Sequence, residues 1–398
     1  MRARLAVAAL LVALVSPAAA AASLQSALAR ALRVPHVSLA ATGAVVLDLE
    51  TGATIYSRNA TLSLLPASNE KLAVTYAALT ALGPAFTIET DVLGEGQQAG
   101  TTWQGDLVLK GYGDPTLSDD DLTALARQVR ASGITHVTGS VLGDESWFDS
   151  LRTALGWKPA FYITESPPLS ALIVDRGRVG RYTSHDPALA AAQLFRSALA
   201  RAGVHVDGSA AHGTADAAAV PIGAVDSPPL SVIVQWMDRV SDNFTAEMLV
   251  KELGAVQADH GTTAAGVGFI TGLLAQAGVP LDGVRLVDGS GLSLLDRLTP
   301  EALASLLSTM WNDVEVRLEL LSSLPVAGRT GTLHDRMQHG AATGIVRAKT
   351  GTTSNASALS GFAGDRYVFS ILQNGWPISW SWARVAQDRF ATVLAASQ

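Results

Sequence analysis

Ser68-Asn69-Glu70-Lys71 is the first place in this 398-residue chain where ordinary side chains could do covalent chemistry. The apolar run Leu72 to Leu82 follows it and Gly83-Pro84 ends that run, which predicts a helix capped by Ser68 or Asn69, with Glu70 in its first turn. Residues three apart on a helix are surface neighbours, so Ser68 and Lys71 share one face. Free backbone N–H groups at the helix start favour developing negative charge beside them. A serine hydroxyl is a weak nucleophile until a base takes its proton, and a partly desolvated lysine can be that base. The tetrapeptide alone also fits a serine cap followed by a solvated lysine. Of the five lysines (71, 110, 158, 251 and 349), only Lys71 has serine three residues before it.

Two later segments carry complementary groups. Ser241-Asp242-Asn243 falls between two helical patterns, where a short turn can push side chains into a cleft. A serine hydroxyl there can relay a proton, and an asparagine amide can hold both a lysine and a substrate carbonyl. Ser57-Arg58-Asn59 has the same spacing but sits at a strand end close in sequence to Ser68. Lys349-Thr350-Gly351-Thr352 follows Gly344 to Ala348 and leads into a hairpin. Lysine and threonine side chains on an edge strand suit a carboxylate, and Gly351 leaves room for a ligand backbone. A backbone N–H there could pair with that of Ser68 as an oxyanion hole. Arg329-Thr330-Gly331-Thr332 mimics this pattern without a strand signal and is set aside in favour of the later copy.

Ser-x-x-Lys, Ser-Asp-Asn and Lys-Thr-Gly, in that order, are the set found in penicillin-binding proteins and class A β-lactamases. Within that group the chain resembles the D-alanyl-D-alanine carboxypeptidase/endopeptidases of peptidase family S13, the class C low-molecular-mass penicillin-binding proteins. Residues 72–240 separate the first two motifs, far more than a class A β-lactamase uses. Further stretches carry the resemblance: Gly111-Tyr112-Gly113-Asp114-Pro115-Thr116, Asp288-Gly289-Ser290-Gly291-Leu292-Ser293, Leu324-Pro325-Val326-Ala327-Gly328 and Ser357-Ala358-Leu359-Ser360-Gly361. Thr353-Ser354-Asn355 and Arg329 depart from the expected pattern and bear on side-chain preference.

The resemblance implies an α/β (α+β) fold: a transpeptidase-like domain with an antiparallel sheet flanked by helices, and a mainly β insertion between the first two motifs. It implies a substrate ending in D-Ala-D-Ala, or a D-amino-acid cross-link, on peptidoglycan stem peptides. Neutral Lys71 would deprotonate Ser68, which attacks the penultimate carbonyl. The N–H groups of Ser68 and Thr352 would hold the oxyanion, and Ser241 would pass a proton to the leaving amine. Asn243 would orient the acyl chain, and Lys349, Thr350 and Thr352 the terminal carboxylate. No metal or organic cofactor is implied, and β-lactams would be covalent inhibitors. A positive Lys349 is expected to help keep Lys71 neutral. Two rivals stay open: a serine β-lactamase or esterase with the same motifs, and a catalytically idle cell-wall binding protein.

The elements that must position these groups are legible in outline. Strands are expected at Gly43 to Leu49 and Ala53 to Ser57, then at Thr87 to Leu93, Trp103 to Leu109, Ile134 to Leu142 and Ala171 to Val174, with Gly94-Glu95-Gly96 as a turn. Helices are expected at Leu24 to Arg33, at 118–129 behind a Ser118/Asp121 capping box, and at 186–202. After Pro229 come helices at 230–237, 244–253, 261–278 and from Pro300, a short strand at Arg285 to Val287, three terminal strands and a last helix. Residues 23–85 plus 226–398 are read as the catalytic domain and 86–225 as inserted. Hydrophobic residues make up 48% and mean hydropathy is +0.27, which argues against disorder. A net charge of −7 without a basic run gives no reason to expect nucleic-acid binding, and the absence of cysteine removes disulfide and thiolate chemistry. Arg2 and Arg4, the apolar stretch 5–15 and the alanines after Pro17 read as a secretory signal cut near Ala20 to Ala22, which predicts an exported protein.

Overall fold

A computed structural model describes residues 17–398; the charged and apolar stretch expected to begin a secretory signal, residues 2–15, lies outside them. Helix α1 (Pro17–Ala31) precedes a hairpin of β1 (Thr42–Asp48) and β2 (Thr54–Arg58), and a 3₁₀ turn, Ala67–Glu70, runs directly into α2 (Lys71–Ala81). Next come β3 (Glu89–Ala99), β4 (Thr102–Gly111), α3 (Asp119–Ala131), β5 (His136–Val137) and β6 (Val141–Asp144). A small hairpin, β7 (Arg178–Val179) and β8 (Tyr182–Thr183), leads to α4 (Pro187–Arg201), β9 (His205–Val206), β10 (Ala210–His212) and β11 (Val220–Asp226). Five helices follow: α5 (Leu230–Val240), α6 (Asn243–Ala258), α7 (Thr263–Gln276), α8 (Pro300–Asn312) and α9 (Arg317–Ser323). The chain ends in β12 (Val346–Thr352), β13 (Ala356–Ala363), β14 (Tyr367–Asn374) and α10 (Trp380–Ala395).

The terminal strands join the first hairpin in an antiparallel sheet of order β12-β13-β14-β1-β2, so the chain's two ends meet in one layer. Tyr367 to Leu372 is almost wholly apolar, and its alternate residues feed two cores. Val368 and Leu372 face α2, α6 and α8, while Phe369 and Ile371 face α1 and α10. A sheet covered on both faces needs apolar side chains on both, which is why this strand does not alternate with polar residues. Each fully buried leucine or phenylalanine contributes about 1.5–3 kcal/mol, so the two cores fix the strand order firmly.

Residues 89–226 build a second sheet of order β10-β6-β4-β3-β11, with β5 between β4 and β9. Helices α3 and α4 cover one face through Leu122, Leu125, Val129, Phe195 and Leu199. Glu89 pairs with Asp226 where β3 and β11 run antiparallel, so the chain enters and leaves this sheet side by side. Ser118 caps α3 with the expected reciprocal bonds to Asp121.

Four local expectations are corrected. Gly94-Glu95-Gly96 is not a turn: β3 continues to Ala99, and Gly96 faces Gly105 with both in positive φ, where a Cβ on Gly96 would strike the Gln104 carbonyl and one on Gly105 the Glu95 carbonyl. The stretch 134–142 is two short strands separated at Gly139. Ala171 to Val174 forms no ladder. Its alternation is real, since Leu172 and Val174 fill one core and Ala171 and Ile173 another, but the segment is buried filling between them. Arg285 to Val287 makes only an isolated bridge to Arg297, and an Asp296 carboxylate oxygen accepts the Val287 N–H in place of a neighbouring strand.

Candidate active site

Ser68 does not cap a helix. It sits inside the 3₁₀ turn, and α2 begins at Lys71 without a side-chain cap. Three residues per turn eclipse i and i+3, so this geometry aligns Ser68 with Lys71 more closely than an α-helix would. Their side chains meet at 3.0 Å. The would-be cap residues are otherwise engaged: the Asn69 amide donates to the Lys349 carbonyl at 3.0 Å, tying the turn to β12. Asn374 of β14 clasps Leu65 through both backbone groups, which fixes the approach to the turn.

Ser241 ends α5 in the left-handed conformation, with φ 62° and ψ 45°. Asp242 caps α6 by accepting from the Thr245 N–H at 2.8 Å, and Arg176 braces the same carboxylate at 2.7 Å. With Asp242 so used, Ser241 and Asn243 are left to face the cleft. Asn243 Oδ1 accepts from Lys71 Nζ at 2.8 Å, and its amide nitrogen donates to the Glu165 carbonyl at 3.1 Å.

Lys349 lies on β12, the edge strand of the antiparallel sheet. Its amine reaches Ser241 Oγ at 2.8 Å and the Thr350 carbonyl at 3.1 Å. Gly351 passes so close to the nucleophile turn that a Cβ would lie 2.9 Å from the Pro66 carbonyl and 3.1 Å from the Ser68 nitrogen. The structure therefore brings Ser68, Lys71, Ser241, Asn243, Lys349, Thr350, Gly351 and Thr352 to one place. Ser68, Ser241, Asn243, Thr350 and Thr352 line a cleft of about 540 Å³. A larger hollow of about 770 Å³, near Pro115, Arg176 and Trp236, contains none of these groups.

Sequence reading missed several cleft residues. The set-aside segment 329–332 is no edge strand, yet Thr332 reaches the cleft and bonds Thr350 through the two hydroxyls at 2.7 Å. Arg384 comes from α10, its guanidinium 3.5 Å from Thr352 Oγ1, and nothing in the local sequence marks it. The Ser290 carbonyl accepts from Lys71 at 2.7 Å. Ser57-Arg58-Asn59 stays apart, with Arg58 and Asn59 bound to carbonyls of Leu39 and Thr42.

Burial is the main cause of the lysines' altered basicity. It pushes Lys71 down to about 8, against the opposing pull of Asp288, Asp242, Glu247 and Asp238. It pushes Lys349 down to about 7, helped by the charge of Lys71. The expectation that Lys349 keeps Lys71 neutral is thus revised: desolvation is the leading cause for both lysines, and the repulsion between them is secondary to it. Behind Lys71, burial and mutual crowding raise Glu70 well above the usual carboxylate range, Asp296 to about 10 and Glu247 to about 8. Glu70, Asp288 and Asp296 present oxygens within 4.8 Å of one another. Protons retained by Glu70, Glu247 and Asp296 spare Lys71 negative charges that would hold it as ammonium.

The hydrogen bonds then assign the lone pair. A neutral amine has two N–H donors and one lone pair. Asn243 Oδ1 and the Ser290 carbonyl take the donors, so the lone pair faces the Ser68 hydroxyl. Two oxygen acceptors, a buried amine and a serine at an exposed cleft wall define a nucleophilic serine hydrolase of the lysine-base kind.

Comparison with known proteins agrees. The model of the D-Ala-D-Ala carboxypeptidase 3 (S13) family matches residues 24–184 and 178–397, and the chain belongs to that family of serine peptidases. It is 33% identical to the D-alanyl-D-alanine carboxypeptidase of an Actinomadura species, over 86% of this chain and 79% of that one. It is 32% identical to the carboxypeptidase DacB of Mycolicibacterium smegmatis, over 93% and 83% respectively. Its fold is similar to that of penicillin binding protein 4 from Haemophilus influenzae, with a TM-score of 0.80 at 20% identity, over 94% of this chain and 97% of that one.

Lys71 acts as base only when neutral, so acylation gains from rising pH until its proton is gone. At about pH 7 roughly a tenth of the amine is free. Single-turnover acylation by a penicillin is expected to rise nearly tenfold per pH unit below about 7, as Lys71 loses its proton. A stopped-flow profile that is flat across that range contradicts the assignment of Lys71.

Proposed function

We propose that this chain hydrolyses the D-Ala-D-Ala end of peptidoglycan stem peptides, and D-amino-acid cross-links between them, through a Ser68 acyl-enzyme that β-lactams also form. The observation that carries the reading is the Lys71 amine, with both donors on oxygen acceptors and its lone pair on Ser68 Oγ. Ser68 attacks the penultimate carbonyl as Lys71 takes its proton. Backbone N–H groups of Ser68 and Thr352 hold the oxyanion, which the close approach of Gly351 to the turn makes feasible. Ser241, bonded to Lys349, passes a proton to the departing D-alanine amine. The acyl chain lies along the β12 edge as an added strand, oriented by Asn243. Water then releases the product and restores Ser68.

The terminal carboxylate is held by Lys349, Thr350 and Thr352. Arg384, next to Thr352, adds a second cation on the same side, which suits a free carboxylate. Residues 86–225 are proposed to be an inserted unit, and 23–85 with 226–398 the catalytic domain. We also infer action outside the cytoplasm, where the substrate is. No helix of the described residues is long and apolar enough to cross a membrane.

Ser68→Ala is expected to abolish D-alanine release from a diacyl-D-Ala-D-Ala peptide while leaving the circular dichroism unchanged; undiminished release would remove the assignment. A fluorescent penicillin separates the rivals. Stable labelling supports the carboxypeptidase, rapid loss of label a β-lactamase, and no labelling an idle binding protein. Arg384→Ala should raise KM for free-carboxylate peptides by about tenfold or more, the scale of one charged hydrogen bond, with little change in kcat. An unchanged KM would leave the carboxylate to β12 alone.

A further inference from the structure

Far from the cleft motifs in sequence, two short parallel strands carry matching residues: His136-Val137-Thr138 at β5 and His205-Val206-Asp207 at β9. They pair in register, His136 opposite His205 and Val137 opposite Val206, and the Asp207 N–H continues the ladder to the Val137 carbonyl. Successive strand side chains point to opposite faces. Both valines are buried with Phe195 and Leu199 of α4. Both histidines, and Asp207 two residues past His205, are therefore delivered to the outer face by the backbone itself.

There they converge. His136 Nε2 lies 2.9 Å from Asp207 Oδ2, and His205 Nε2 lies 3.2 Å from Asp207 Oδ1. The two rings stack with centroids 5.6 Å apart. An ordinary surface ion pair gives a carboxylate one imidazole; this one has two, and one ligand atom from each of the three residues lies within 4.8 Å of the others. Zinc holds nitrogen and carboxylate oxygen at about 2.0–2.2 Å, which separates tetrahedral neighbours by about 3.4 Å. Each histidine–carboxylate contact falls within about 0.5 Å of that spacing, and one ligand atom from every residue is within 4.8 Å of the others, so side-chain rotation can gather all three about one ion.

We propose that His136, His205 and Asp207 form a binding site for a divalent d-block cation, zinc foremost, with water completing its coordination. Two imidazoles and one carboxylate favour such an ion over calcium or magnesium, which take oxygen ligands. The open, solvent-facing position leaves space for the waters. An ion here joins β5 to β9, two strands of two residues each, and stabilises the folded sheet by mass action. The site is independent of the serine chemistry.

Isothermal titration of the full chain with zinc chloride in chelator-free buffer tests this. One site per chain is expected, with affinity reduced roughly tenfold or more in His136→Ala and again in His205→Ala. Magnesium and calcium should give no comparable binding. Both side chains face solvent, so the variants should keep native circular dichroism and undiminished penicillin labelling. Zinc binding retained in the double variant, binding that maps to another histidine contact such as His212 with Asp186, or no zinc binding by the native chain overturns the proposal.

Discussion

The burial of one amine organises this molecule. Lys71 is completely enclosed and makes three hydrogen bonds, two of them to oxygens that can only accept. Desolvation weakens its hold on a proton, and the acceptors decide which way the remaining lone pair points. Both effects depend on parts of the chain distant in sequence. Asn243 comes from the start of α6 and Ser290 from the loop before α8, while α2 contributes the lysine itself. An exposed lysine at the same spacing would keep its charge and leave Ser68 inert.

The rest of the fold serves that enclosure. The antiparallel sheet presents β12 as an edge, and the Asn69–Lys349 bond and the missing Gly351 side chain hold that edge against the nucleophile turn. The left-handed Ser241 sets the third wall at the junction of two helices. The crowded carboxyls behind Lys71 look adverse for a base, since acids near an amine should hold its proton. Burial eases the conflict: it pushes Glu70, Glu247 and Asp296 toward keeping their own protons, and a neutral carboxyl exerts little field. The same low dielectric that disfavours the charged lysine disfavours these charged carboxylates.

Much of this was legible in sequence because residue type and spacing carry local geometry. Ser118 with Asp121 predicted a cap, Pro300 a helix start, and the three motifs predicted one cleft. Failures occurred where a distant partner decides. Gly94-Glu95-Gly96 looks like a turn until Gly105 is placed opposite, and Ala171 to Val174 alternates like a strand but finds no ladder. Thr332 was set aside for want of a strand signal, although reaching the cleft required only a loop. Arg384 has no sequence signature, because its role arises from where α10 packs on the sheet. The balance of charge between Lys71 and Lys349 was also beyond sequence, since burial cannot be read from spacing.

Five lysines in the chain make the central claim directly measurable. With lysine labelled at the ε-carbon, each residue gives one ¹³C resonance, and Lys71→Met assigns the relevant one. Titration of the native enzyme should show the Lys71 signal losing its proton near pH 8, with the Lys349 signal changing near pH 7. A Lys71 amine that stays charged to pH 10 would contradict the account.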